Sequence, residues 1–476
     1  MSRRMIAKIM MKGGIYKMKE NANHFLGEAP IGKLMVKFAV PSIISMLIAA
    51  LYNMVDQIYI GHGIGYLGNS ATSVVYPLTV IALAIALLFG SGCGAYFSIC
   101  QGKKEYEKAC KAVGNAFLMT LICAFVLVVI YCIFQQQFLN LFGATENNVG
   151  YATEYFSYLL IGIPFYMLSN MLNIIIRADG SPQLAMGINC IGCVLNIILD
   201  PIAIFLLEWG MMGAAVATVF GQTISGVLSI VYLFHTKSFH LDKHSFKLEW
   251  KTLKSVMTLG ISSFFTQVTI VIVTAVLNNA LVEYGAQSKY GADIPLTVIG
   301  IVMKIFSVIS GICIGLTIGI QPITSYNYGA GNMGRVKKLF QKMLLSEFCI
   351  GAVALIAFEA FPAQIVSIFG SGDALYMEFA TLTMRIYLSG IVFTCIQKGC
   401  GSFMQAVGKP LFSATMSLVR EVVHIVLILV LPVHFGVMGI LYSAPICDIV
   451  AIIVTGILTV RLIQHLSVKE KTALTE

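Results

Sequence analysis

The stretch WGMMGAA, residues 209–215, returns further along the chain as FGVMGIL, residues 435–441. Other pairs recur at nearly the same interval: SICQG (98–102) with SYNYG (325–329), LFGATE (141–146) with IFGSGD (368–373), and DGSPQ (179–183) with VGKPL (407–411). A chain that matches itself along its whole length at a shift of 221 to 228 positions is a duplicated one.

What was duplicated follows from composition. Of 476 residues 58% are hydrophobic and only 11% charged, with a mean hydropathy of +0.86. A soluble domain carries about a quarter charged residues, so the chain reads as an integral membrane protein. Twelve apolar runs near 34–60, 71–100, 112–134, 154–177, 184–207, 211–235, 253–283, 294–328, 336–361, 377–404, 410–433 and 438–463 can each cross a hydrocarbon core of about 30 Å as a helix. The expected fold is all-α, with twelve transmembrane helices in two six-helix bundles. Six spans is an even number, so both halves take the same orientation, as in transporters with parallel repeats.

The net charge of +9 is a topology signal. Arg3, Arg4, Lys8, Lys12, Lys17, Lys19 and Lys33, then Lys103, Lys104, Lys108 and Lys111, then Lys237, Lys243, Lys247, Lys251 and Lys254, then Arg335, Lys337, Lys338 and Lys342, and finally Lys469 and Lys471 all fall on one side. The opposite loops offer little beyond Lys289. The asymmetry places both termini in the cytoplasm, facing anionic lipid, and leaves nucleic acid with nothing to explain. The expected organisation is a cytoplasmic segment 1–33, an N-lobe 34–235, a cytoplasmic linker 236–252, a C-lobe 253–463 and a tail 464–476. No cleavage site follows the basic N-terminus, so the first run is read as a retained helix. The twelve cysteines sit in apolar runs or on the basic side, which leaves no outward disulfide framework; the CxxC of Cys190 and Cys193 reads as packing.

Ionisable residues inside such runs are expensive and therefore candidates for function. Asp56 lies near the outer end of the first run and Asp200 in the outer half of the fifth; Asn196 is one turn from Asp200 on the same face, and Thr218 is at a similar depth in the sixth. Two acids sharing a low-dielectric site require a proton or a small cation between them. The amide and hydroxyl oxygens would complete a hard-oxygen set that Na+ could use, so H+ and Na+ both stand as coupling ions, with no cofactor. Pro41 weakens the first helix one turn earlier, as a bend that responds to protonation or as a static kink. At the repeat-equivalent places the second half has Leu277 and about Ile428 instead of acids. Its polar set is Arg420, Glu421 and His424 in the eleventh run and Asp448 in the twelfth, with Lys304 in the eighth and Arg385 and Lys398 in the tenth. Arg420 paired with Asp448 would cost less than either alone, and the group is a candidate substrate or gating cluster.

NMVDQIYIGHGIG in the first run, IIIRADGSP after the fourth, LNIILDP in the fifth, WGMMGAAVAT entering the sixth and GIQPITSYNYGAGN ending the eighth resemble the multidrug and toxic compound extrusion (MATE) transporters, over roughly residues 30 to 463. The resemblance implies a cation-coupled antiporter that expels organic cations and amphipathic drugs. It carries Asp56, Asn196, Asp200 and Thr218 onto the family's first-lobe cation site, Asn173 onto a polar position facing that cavity, and Pro41 onto the family's bend. Branches that use a second-lobe glutamate in the seventh run find Thr266 and Gln267 here, so coupling is expected in the first lobe. Asp448 and Arg420 resemble polar positions of the branch typified by staphylococcal exporters.

Two other readings compete. A lipid-linked glycan flippase would need several cleft Arg or Lys for pyrophosphate. A membrane-embedded prenyl-diphosphate enzyme would need a DDxxD-type acid cluster for Mg2+, and none occurs. The expected partners are small organic cations or drugs and membrane lipid; a monomer is expected, because one chain already contains both halves.

Overall fold

The computed structural model describes residues 23–291, 293–368 and 374–475, with side chains described to 464. The six basic residues of the N-terminal segment from Arg3 to Lys19, most of the IFGSGD repeat and the side chains of Lys469 and Lys471 lie outside the described residues.

Apolar runs without breakers become long helices because every backbone polar group is then paired within its own segment. The main helices are α1 (Ile31–Gly63), α2 (Tyr66–Gly102), α3 (Tyr106–Ile133), α4 (Val149–Ala178), α5 (Pro182–Pro201), α6 (Gly210–Tyr232), α7 (Trp250–Ala286), α8 (Asp293–Gly329), α9 (Met333–Ala360), α10 (Ala374–Tyr387), α11 (Ile391–Ala406), α12 (Pro410–Phe435) and α13 (Val437–Thr475). Among the described residues, eleven spans are long and apolar enough to cross a membrane. The tenth expected run is split at 388–390 into α10 and α11, bent by 45°, which together make the twelfth span. A π-helical turn, Ile202–Leu206, continues α5 beyond Pro201, whose missing N–H frees the carbonyl one turn back.

Helices α1 to α6 pack as one bundle and α7 to α13 as another, and the two meet where α1 lies along α8 and α2 along α7 and α8. The exchange at this seam is finer than a cut at residue 253. Leu34, Phe38 and Ala39 of α1 belong to a core shared with α8, α9 and α11, whereas Leu253 and Val256 of α7 join the core of α2, α3 and α4. Leu277 and Ile428, the repeat counterparts of Asp56 and Asp200, are buried in one apolar cluster of the second bundle.

Closure is tightest at the end that carries the linker. A Cβ on Gly102 would strike the Tyr326 carbonyl, and one on Gly329 would strike the Ile99 carbonyl. The segment ahead of α1 is fastened across both bundles at this end. Asn23 Nδ2 donates to Gln101 Oε1 (2.8 Å) and the Ala178 carbonyl (3.2 Å), while Asn327 Nδ2 and Arg335 Nη2 donate to the carbonyls of Leu26 (2.9 Å) and Ala29 (2.7 Å). The polar linker is equally well anchored. Buried Asp179 accepts from the amides of Lys237 (2.7 Å) and Ser238 (2.8 Å), and Asn115 accepts from Glu249 N (2.7 Å) and donates to the Lys247 carbonyl (3.1 Å). At the far end a cavity of about 530 Å³ opens between the bundles, lined by Gln57, His62 and Asn69 on one side and Lys304 on the other.

Candidate functional site

Helices α5 and α6 cross where Gly192 and Gly221 meet: a Cβ on Gly221 would stand 2.6 Å from the Gly192 carbonyl. One turn toward the far end, that approach brings Asn196 within reach of Thr218. Asn196 Nδ2 donates to Thr218 Oγ1 (3.1 Å) and to Asp200 Oδ1 (3.1 Å). Asp56, from the far half of α1, meets Asp200 carboxylate to carboxylate within hydrogen-bonding reach. Asp200 is fully buried, and Asp56 is 9% exposed. Asp56 Oδ1, Asp200 Oδ2 and Asn196 Oδ1 have no hydrogen-bond partner. Two facing carboxylates with three unfilled oxygen acceptors suit a proton or a small hard cation.

Of the residues expected at this site, Asp56, Asp200, Asn196 and Thr218 come together. Asn173 does not join them. It sits near the linker end of α4 and donates to the Ala185 carbonyl (2.8 Å). Ala185 and Asp200 are separated by fifteen residues of α5, roughly 22 Å at the helical rise; an alignment of sequence positions does not convey that depth. Pro41 is likewise near the linker end, inside an unbroken α1, where its neighbours Ser42 and Ile43 press on Gly315 of α8. Pro41 thus marks the seam between bundles.

Sequence reading missed two tyrosines. Tyr155 of α4 places its hydroxyl within hydrogen-bonding reach of Thr218 and close to both acids, and Tyr52 of α1 lies beside Asp56 and Tyr155. Nothing in the sequence separates them from the other Tyr residues, 20 in all.

The second bundle holds the expected cluster. Arg420 Nε donates to Asp448 Oδ1 (2.9 Å) and Arg420 Nη1 to Glu421 Oε1 (2.9 Å), so one guanidinium bridges two carboxylates. The break between α10 and α11 makes space for it, since a Cβ on Gly390 would occupy the place of Asp448 Oδ2. His424 is buried one turn along α12, with its ring 6.1 Å from that of Tyr387, and neither ring nitrogen has a hydrogen-bond partner. It belongs to the neighbourhood of the ion pair but makes no bond in it. Arg385 instead contacts Glu359 (3.7 Å) in an exposed position, and Lys398 donates to Ser310 Oγ (2.9 Å).

The family model MatE matches residues 41–202 and 262–430, each within one repeat. The chain belongs to the MATE family. Among curated relatives of this MATE chain, multidrug export protein MepA of Staphylococcus haemolyticus is 28% identical over 467 residues, covering 96% of this chain and all of the relative. MepA of Staphylococcus aureus is 26% identical over 453 residues, covering 94% and 98%. Solved structures share the fold. A MOP superfamily transporter from Pyrococcus furiosus superposes with a TM-score of 0.86 at 21% identity, and so does a multidrug resistance MATE family transporter described as outward-facing; each comparison covers 93% of this chain and 98% of the other.

Proposed function

We propose that this MATE chain is a secondary active multidrug efflux transporter, exchanging H+ or Na+ for organic cations and amphipathic drugs by alternating access. The observation that carries the reading is the meeting of Asp56 with Asp200 beside Asn196 and Thr218, with an unfilled oxygen on each acid and on the amide. A site of this kind holds one cation in place of the repulsion between two buried charges. If the cation binds one arrangement of the bundles more tightly than the other, a gradient of that cation drives the exchange, and drug coupled to the opposite preference moves outward.

On this reading the linker end faces the cytoplasm, both termini included, the membrane is the cell membrane, and the chain works as a monomer. The basic loops support the orientation. The bundles, joined at the linker end with a cavity at the far end, then correspond to the arrangement that releases drug and takes up the cation. The flippase reading is weaker for this chain, because Arg420 is neutralised by Asp448 and Glu421 and Arg385 is paired outside with Glu359.

The test is gradient-driven ethidium uptake into everted vesicles containing the wild type or Asp200→Asn, with a pH gradient and a Na+ gradient imposed separately. Movement driven by one gradient and lost in the variant supports antiport and names the ion. No ethidium movement under either gradient overturns the proposal.

A further inference from the structure

Glu347 of α9 is fully buried, and neither of its carboxylate oxygens has a conventional N–H or O–H donor. Two thiols face it, Cys313 of α8 and Cys395 of α11, both buried, and one ligand atom from each of the three residues lies within 4.8 Å of the others. Gly399, one turn beyond Cys395, makes the room: a Cβ there would stand 3.0 Å from Glu347 Cγ. Lys398 lies close enough to interact with both Glu347 and Cys313, while its Nζ bonds Ser310 and rests 4.8 Å from the centre of the Phe306 ring. The three ligand residues sit on α8, α9 and α11 of the second bundle, whereas the acid pair sits on α1 and α5 of the first.

A buried carboxylate whose nearest donors are thiols is costly, because thiols are weak donors. A neutral glutamic acid would relieve the cost but would leave the convergence of two thiols on it unexplained. Two sulfurs and one carboxylate oxygen converging from three helices are a donor set for a thiophilic divalent cation, which prefers soft sulfur and accepts a carboxylate. The charges also close. Two thiolates and a carboxylate carry −3, a divalent cation +2 and Lys398 +1, so the loaded site is neutral inside the bundle.

We infer that Cys313, Cys395 and Glu347 form a binding site for a soft divalent cation of the Zn2+ class within the second bundle. Each thiol releases its proton to solvent as the metal–sulfur bond forms. The ion ties α8 to α9 and α11, and α8 is the helix along which α1 crosses between bundles.

Cd2+ serves as the probe, because its bonds to thiolate absorb in the ultraviolet. The full chain, purified in detergent and kept reduced, is titrated with Cd2+. The expected result is a charge-transfer band that saturates at one ion per chain, disappears in Cys313→Ala and in Cys395→Ala, weakens at least about tenfold in affinity in Glu347→Gln, and is unchanged when Cys190 and Cys193 are both replaced by Ala. A wild type without saturable binding, or a band that survives Cys313→Ala, overturns the inference. Should an Ala variant fail to fold, alkylation of the wild type with and without Cd2+ gives the answer. Protection of the Cys313 and Cys395 peptides supports the site, and protection of other cysteines or of none overturns it.

Discussion

Asn196 donates to Asp200 Oδ1 over 3.1 Å, one turn away on the same helix, and this bond leaves Asp200 Oδ2 buried without a partner, with the Asp56 carboxylate within hydrogen-bonding reach of Asp200. Asn196 thus fixes one oxygen of the acid while the other stays without a partner, which makes the amide a positioning group. Asp200→Asn is expected to abolish gradient-driven efflux with expression unchanged, and Asn196→Ala to reduce it by roughly tenfold, the scale of a single coupling interaction. Asn173→Ala is expected to leave the ion dependence of transport as in the wild type, since its bond is to Ala185 at the linker end. Ethidium uptake into everted vesicles, the inverted counterpart of efflux from the cell, checks all three, and loss of ion dependence in Asn173→Ala would contradict the assignment.

Arg420 bridges Asp448 and Glu421 with side chains exposed by 12% or less. Removing the shared cation leaves both acids uncompensated, a loss of about 3–5 kcal/mol for a buried pair broken on one side. Arg420→Met should therefore unfold at a lower temperature in detergent. The triple variant Arg420→Met, Asp448→Leu, Glu421→Gln should recover most of the loss, because it removes the charges together. Thermal melts of the two variants decide the matter, and equal destabilisation in both would disprove a purely electrostatic origin.

Gly260 of α7 lies against α2 so closely that a Cβ would strike the Leu88 carbonyl. Gly260→Ala is expected to disfavour the arrangement joined at the linker end and to increase the population with the far ends closer. Spin labels introduced through noncanonical residues at the exposed positions Glu146 and Glu283 would report this as a shift toward shorter distances. An unchanged distance distribution would show that the seam yields without opening.

In the linker, Asp242 Oδ1 accepts from Ser245 N (2.9 Å) and Ser245 Oγ (2.8 Å), and the hydroxyl bond above all holds the carboxyl below its ordinary value. A lowered value means that the carboxylate supports this turn above the ordinary carboxylate range, and that the support is lost as pH falls through the lowered value. Amide exchange at Ser245, corrected for its intrinsic rate, should accelerate on acidification in that window. Asp242→Asn should flatten the dependence, and a wild-type profile without acceleration would contradict the role of the bond.

Metal content offers a further check on the second bundle. Chelator treatment of purified protein that has bound one Cd2+ should lower its melting temperature, and the same treatment should leave Cys313→Ala unchanged.

The sequence by itself determined the membrane class, the duplication into two six-span halves and the acids Asp56 and Asp200, because each of these is written in local composition or in spacing along one helix. A charge in an apolar run is visible wherever it stands. Glu347, within the ninth run, could have been found by the same rule. Tertiary structure alone decided which residues meet. Only the crossing at Gly192 and Gly221 brings Asn196 to Thr218, only the break at Gly390 seats Asp448 beside Arg420, and only the packing of α4 on α5 carries Asn173 away from the acids it was aligned with. The physical reason is that a helix fixes its own depth and face through its period, whereas the neighbour it meets depends on close contacts made by small residues far away in the chain.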